Sequence, residues 1–279
     1  MKILVIGHSV FDFIDDGKSV TQSAGGIFYT ISALNKIKSV DDEIFLCSQF
    51  DEESYRYFEE EFRKINSTYL MKTCRIPRVH LNLFKEKERH EKYENISNNL
   101  PIIIEDYKLD GILINMITGF DINVLQLQEI RKNFAGLIYL DVHTLSRGLD
   151  ENYKRNFRRI PEFRSWAKCL DIIQVNEQEL FTLSGFTSAD EIVEEILSYG
   201  VKIICVTKGD KGAEVYFKQD NQLIRFFVKA QKIINPNVVG CGDTFGAAFF
   251  YNYIRNNNVY DSIRAAVDTA GSFVKNKLN

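Results

Sequence analysis

Short runs rich in Ile, Val and Leu recur along this chain at 2–6, 44–48, 111–116, 136–141, 171–175 and 202–207. Each is strand-length and apolar on successive residues, the pattern of a strand buried on both faces. Helix-length amphipathic stretches lie between them, at 26–37, 52–65, 121–133, 177–183 and 189–199. Strand and helix in alternation predict an α/β domain of three layers, a parallel sheet covered by helices on both faces. In such sheets ligands bind beyond the carboxyl ends of the strands.

One stretch breaks the rhythm. Residues 68–73 and 79–84 alternate like two-sided strands, and a highly charged run follows at 85–94. This predicts a small β lid inserted at about 67–96 in a domain that otherwise spans 1–279. A second β patch, 213–217 and 223–229, is divided by the polar turn Gln219-Asp220-Asn221-Gln222 and reads as a hairpin. A last helix is expected over 260–277. The lid strands offer an edge through which a homodimer could form, although their charges oppose it.

Composition narrows the partners. The net charge of -3 gives no electrostatic case for nucleic acid or an anionic membrane. No run approaches the roughly 20 apolar residues of a membrane span. Five scattered cysteines form no Cys-x-x-Cys pair, which points away from zinc and towards a reducing, cytoplasmic compartment. A small molecule is the expected partner.

The chemistry is carried by Asn237-Val238-Val239-Gly240-Cys241-Gly242-Asp243-Thr244-Phe245-Gly246-Ala247-Ala248-Phe249, a glycine-rich turn leading into an apolar helix. Gly240 and Gly242 let backbone approach a ligand, and the first helical turn offers unpaired N–H groups and the positive end of the dipole to an anion. Asp243 in that field favours its ionised form and can take a proton from an attacking hydroxyl. The alternative for Asp243 is an ordinary helix N-cap. A Walker P-loop, a Gly-x-Gly-x-x-Gly dinucleotide fingerprint and a protein-kinase catalytic loop are all absent.

At this turn the chain resembles the ribokinase-like (PfkB) carbohydrate kinase family, whose signature reads roughly Asp-Thr-x-Gly-Ala-Gly-Asp before a small-residue helix. The resemblance implies a ribokinase-like fold, an anion hole on Gly240, Cys241 and Gly242, and Asp243 as catalytic base. It continues in family order. Gly7 and Asp12 are similar to the first-strand glycine and the Asp that binds substrate hydroxyls, and Gly25 with Gly26 to the paired glycines under the substrate. Asn176-Glu177-Gln178-Glu179 resembles the Asn-x-x-Glu motif, implying a nucleotide contact for Asn176 and magnesium held through water by Glu179. The stretch Thr207-Lys208-Gly209-Asp210-Lys211-Gly212 is similar to the nucleotide-binding turn, with Thr207, Gly209 and Gly212 at the matching positions. Taken singly, Glu179 reads more readily as a helix cap, Asp12 as a solvated loop acid and 207–212 as a plain turn, and it is their joint order along the chain that favours the site.

The family's pattern is not kept throughout. Asn237 stands where Asp is usual, which removes a charge from the monovalent-cation site and puts potassium activation in doubt. Cys241 replaces Ala but keeps the amide. The residues Ile27-Phe28-Tyr29-Thr30 lack the Lys and Asn of ribokinases proper, so ribose specificity is not expected. Asp141-Val142-His143-Thr144 ends one predicted strand and Asn115 with Thr118-Gly119 another, where they could face the site, although a histidine at a strand end is more often structural. The expected activity is transfer of the γ-phosphoryl group of magnesium-ATP to a hydroxyl of a small sugar or related alcohol. The alternatives are a nucleoside kinase of the same fold and a non-catalytic nucleotide or sugar sensor.

Overall fold

The computed structural model describes residues 1–276 apart from 16, 83–89, 97–98, 105–107, 150–154 and 235. Its elements begin β1 (Lys2–Ile6), β2 (Ser9–Asp15), β3 (Val20–Gly26), α1 (Phe28–Ile37), β4 (Glu43–Phe50), α2 (Glu59–Phe62), β5 (Leu70–Lys72), β6 (Arg78–Asn82), β7 (His90–Glu94) and β8 (Gly111–Asn115). They continue α3 (Val124–Asn133), β9 (Leu137–Asp141), β10 (Arg147–Leu149), β11 (Arg155–Phe157), α4 (Phe163–Ala167), β12 (Ile172–Asn176), α5 (Glu177–Leu180) and α6 (Ala189–Ser198). Last come β13 (Ile203–Thr207), β14 (Gly212–Gln219), β15 (Gln222–Lys229), α7 (Cys241–Asn256) and α8 (Val259–Asn276).

The main sheet runs β15-β14-β13-β12-β9-β8-β1-β4-β5. Every pairing from β5 to β13 is parallel, and the β14–β15 hairpin adds two antiparallel strands. The period-2 rule explains its apolar strands: Leu4, Ile6, Ile112, Ile114, Leu140 and Ile173 enter one core cluster, with Leu127 of α3 and Trp166 of α4. Ile3, Val5, Leu113, Tyr139 and Ile172 enter the other, with Ile31 of α1, Phe249 and Phe250 of α7 and Ile263 of α8. Both faces are thus covered, the three-layer α/β arrangement expected from the alternation.

The small sheet departs from the expected boundary. Its order is β3-β2-β6-β7, so half of it comes from 9–26. β5, inside the expected 67–96 lid, instead pairs parallel with β4 at the edge of the main sheet. The chain leaves β1 and enters β2 after Gly7-His8 alone, passing directly from one sheet to the other. Positions 83–89 of the charged run lie outside the described residues. The helix expected over 52–65 shrinks to α2 after a 3₁₀ turn at Tyr55–Tyr57. Asp51 accepts from the Ser54 amide and hydroxyl and from the Ile76 amide, which anchors the entry to this stretch as a turn.

A buried polar lock holds the crossover. Asp121 accepts from the amides of His8 (2.8 Å), Thr118 (2.9 Å) and Gly119 (3.1 Å), and His8 Nδ1 lies 3.0 Å from its Oδ1. Burial pushes the Asp121 carboxyl up, but the His8 imidazole and these hydrogen bonds outweigh it and hold it below the usual carboxylate range. A depressed carboxylate contributes stability above its unfolded pKa and loses it as pH falls through the folded value. Asp121→Asn is therefore expected to lose about 2–3 kcal/mol at neutral pH. In urea unfolding from pH 7 down to pH 3, the gap from wild type should close below about pH 4.

Candidate active site

Gly240 to Asp243 sit at the carboxyl edge of the main sheet because α7 starts there. Gly240 caps the helix with φ +81°, in the left-handed region open to glycine. A Cβ on it would lie 2.4 Å from the Tyr29 ring, so the turn also needs glycine for space. Thr244 N donates to Gly240 O at 3.0 Å as the first helical bond, and Thr244 Oγ1 donates to the same carbonyl at 2.8 Å. The amides before Thr244 therefore lie outside the helical ladder. Cys241 N is turned back onto Val238 O at 3.0 Å. This narrows the expected anion hole, because the Cys241 amide closes the turn. Asp243 is the third helical residue, not the N-cap, so the plain capping alternative for it is excluded.

A row of polar side chains lies under this helix start. Asn115, Asp141 and Gln174 are register partners across β8, β9 and β12. Asn115 Nδ2 donates to Asp243 Oδ1 at 3.0 Å and to Thr30 Oγ1 at 2.7 Å. Gln174 Nε2 donates to Gly242 O at 3.1 Å and to Asp141 Oδ2 at 3.2 Å, while Tyr139 OH donates to Gln174 Oε1. Burial, then the charges of Glu179 and Asp243, push the Asp141 carboxyl far above the carboxylate range. Of this row, the sequence marks Asn115 near the end of the 111–116 run and Asp141 at the end of the 136–141 run, but not Gln174. Its signal was a lone amide inside the apolar run Ile172-Ile173-Gln174-Val175.

A cleft of about 140 Å³ opens beside the turn, lined by Asp12, Gly26, Tyr29, His143, Gly240, Gly242 and Asp243 among others. Five of the expected site residues thus meet. Asp12 is 4% exposed on β2, and a Cβ on Gly25 would come 2.0 Å from its Oδ2, so Gly25 makes room for the carboxylate. Gly26, at φ +61°, passes so close to His8 O that a Cβ would stand 2.6 Å away. His143 also lines the cleft, with φ +32°, a conformation of order 1 kcal/mol strain in a non-glycine residue.

The expected nucleotide residues lie on the same edge but outside this cleft's lining. Asn176 and Thr207 are register partners at the ends of β12 and β13. Asn176 caps α5, accepting from the Gln178 and Glu179 amides, and Glu179 accepts from the Asn176 amide at 2.9 Å. The capping role of Glu179 is therefore real, whatever else the carboxylate does. Gly209 has φ +59° with open space around it. Gly212 has φ +124°, and a Cβ there would strike Val228 O at 2.0 Å, so the close β14–β15 hairpin by itself requires this glycine. Asn237 Oδ1 accepts from Val239 N at 3.3 Å, an Asx turn that engages the oxygen left for a monovalent cation. Among the described residues no helix is long and apolar enough to cross a membrane, and no group of three His, Cys, Asp or Glu side chains is placed to hold a metal.

Residues 144–278 match the model described as pfkB family carbohydrate kinase. A cytidine kinase of Thermococcus kodakarensis is 24% identical over 124 residues, 44% of this chain and 44% of that protein. A ribokinase of Arabidopsis thaliana is 27% identical over 113 residues, 39% of this chain and 29% of that protein. The chain thus aligns with less than half the length of either relative. Among solved structures, a pyrophosphate-dependent kinase in the ribokinase family, complexed with a pyrophosphate analog and myo-inositol, superposes with TM-score 0.78. It is 17% identical, and the match covers 98% of this chain and 95% of that one. The fold is that of the ribokinase family over nearly the whole chain, and the resemblance to the PfkB carbohydrate kinases drawn from the glycine-rich turn holds.

Proposed function

We propose that this chain is a kinase that moves the γ-phosphoryl group of ATP to a hydroxyl of a small sugar or related alcohol, nucleosides included. The observation that carries the reading is Asp243, buried at the third position of α7, bonded to Asn115 and facing a cleft that also holds Asp12. In this reading the acceptor hydroxyl lies between Asp12, which orients it, and Asp243, which takes its proton as the oxygen attacks phosphorus. The α7 dipole and the amides preceding Thr244, other than that of Cys241, stabilise the phosphoryl oxygens. Asn115 holds the Asp243 carboxylate at one oxygen, and Gln174 holds the Gly242 carbonyl, so both are set before the acceptor arrives.

ATP would lie along the edge by Asn176, Thr207 and Gly209. The Glu179 carboxylate suits magnesium, which typically takes one or two carboxylates with phosphates and water instead of an all-protein cage. Glu179 would hold it through water, and the ion would neutralise charge on the transferring phosphates. The protein would act in the cytoplasm on small molecules, without nucleic acid or membrane, and the small-sheet edge is the place for a homodimer.

Pyrophosphate is the second donor to try, because the chain shares its fold with the pyrophosphate-dependent kinase. The test incubates purified protein with magnesium-ATP, or magnesium-pyrophosphate, and a mixed panel of sugars, polyols and nucleosides, with Asp243→Asn as control. Acceptor-dependent donor cleavage that disappears in the control is expected. Binding without cleavage of either donor would favour the non-catalytic sensor.

A further inference from the structure

The two ends of the cleft differ in chemistry. The carboxylates of Asp12 and Asp243 and the Gly240 turn form one end. The other is a wall of Val10, Val79, Leu81, Tyr93 and Ile117, a hydrophobic cluster separate from the two beside the main sheet, with each member at most 7% exposed. The small sheet supplies four of these residues, and four of the five are aliphatic. The Arg155 guanidinium packs 4.3 Å from the Tyr93 ring centroid and donates to Thr118 O, which fixes the aromatic part of the wall.

A free sugar or a cyclitol carries hydroxyls around its whole ring. Seated with one at Asp243, it would press others against aliphatic side chains and bury them unpaired, which is costly. A nucleoside divides as the cleft does. Its ribose hydroxyls and hydroxymethyl group suit the carboxylate end, and the flat faces of its base suit the apolar wall.

We propose that the acceptor is a nucleoside, phosphorylated on the hydroxymethyl oxygen of its ribose; this rests on the kinase reading above. That oxygen bonds to the γ-phosphorus, the bond from the γ-phosphorus to its bridging oxygen breaks, ADP leaves, and the acceptor proton passes to Asp243.

The test compares kcat/KM for cytidine, uridine, adenosine, guanosine and inosine with that for ribose, fructose and myo-inositol, each with ATP and with pyrophosphate. The best nucleoside is expected to exceed every free sugar and polyol by about 100-fold or more, since each unpaired buried hydroxyl costs roughly ten-fold. Val10→Thr and Leu81→Asn, checked by melting to be folded, should narrow the nucleoside-to-ribose ratio about ten-fold. Ribose, fructose or myo-inositol used as well as any nucleoside would overturn the acceptor assignment and leave the kinase reading standing. A preference for nucleosides that neither folded wall variant narrows would overturn the wall's role. Donor cleavage with no acceptor at all would overturn the kinase reading itself.

Discussion

Asp243→Asn is expected to lower kcat by about 10²- to 10⁴-fold while donor affinity stays within about two-fold, because the substitution removes a general base and little else. The side chain is 8% exposed and bonded to Asn115 Nδ2, so the isosteric amide fits the same space. An amide can still meet Asn115 through its own carbonyl oxygen, which keeps the fold but leaves no group able to accept the acceptor's proton. Steady-state kinetics with donor titration separate the two effects. A parallel rise in the donor's Kd would mean that Asp243 shapes the donor site instead of acting on the acceptor.

The second large effect is expected at Gly240. Gly240→Ala forces a side chain into left-handed backbone and places its Cβ 2.4 Å from the Tyr29 ring. That ring packs edge-on against Phe28 and Phe273 at centroid distances of 5.7 and 6.0 Å, so it cannot swing aside without disturbing both. The turn must shift instead, carrying with it the amides that precede Thr244. Loss of one such donor typically costs about 10²- to 10³-fold in kcat, and a loss of that order is expected here. In a Tyr29→Ala background the same substitution should cost several-fold less, because the clash is gone and only the backbone strain persists; a double-mutant cycle measures the difference. Equal losses in both backgrounds would show that the ring does not fix the turn.

Much of the fold was legible because burial on two faces leaves a plain record. β1, β8, β9, β12 and β13 fall where apolar runs predicted them, and their alternate residues feed opposite core clusters. The small sheet was read less well. Its first two strands follow β1 after only Gly7-His8, and nothing in so short a break announces a change of sheet. Its expected range also took in Leu70–Lys72, whose alternation fits an edge strand of either sheet. At the site, Asp243 and the glycines before it stand out from the chemistry of a helix start, whereas Asp12, Gly25 and Gly26 stand out only through the family resemblance. The row beneath was harder to see, because an Asn, an Asp and a Gln become a set only when β8, β9 and β12 bring them into register. Cys241 illustrates the opposite limit: the motif assigns its amide to an anion, and the backbone turns that amide onto Val238.

The most direct test of phosphoryl transfer is ³¹P NMR of the wild-type protein with magnesium-ATP and the best acceptor from the panel. The account predicts a new phosphomonoester resonance growing in step with ADP, absent with Asp243→Asn. Inorganic phosphate accumulating in its place, or ATP recovered unchanged from protein shown to bind both ligands, would contradict it.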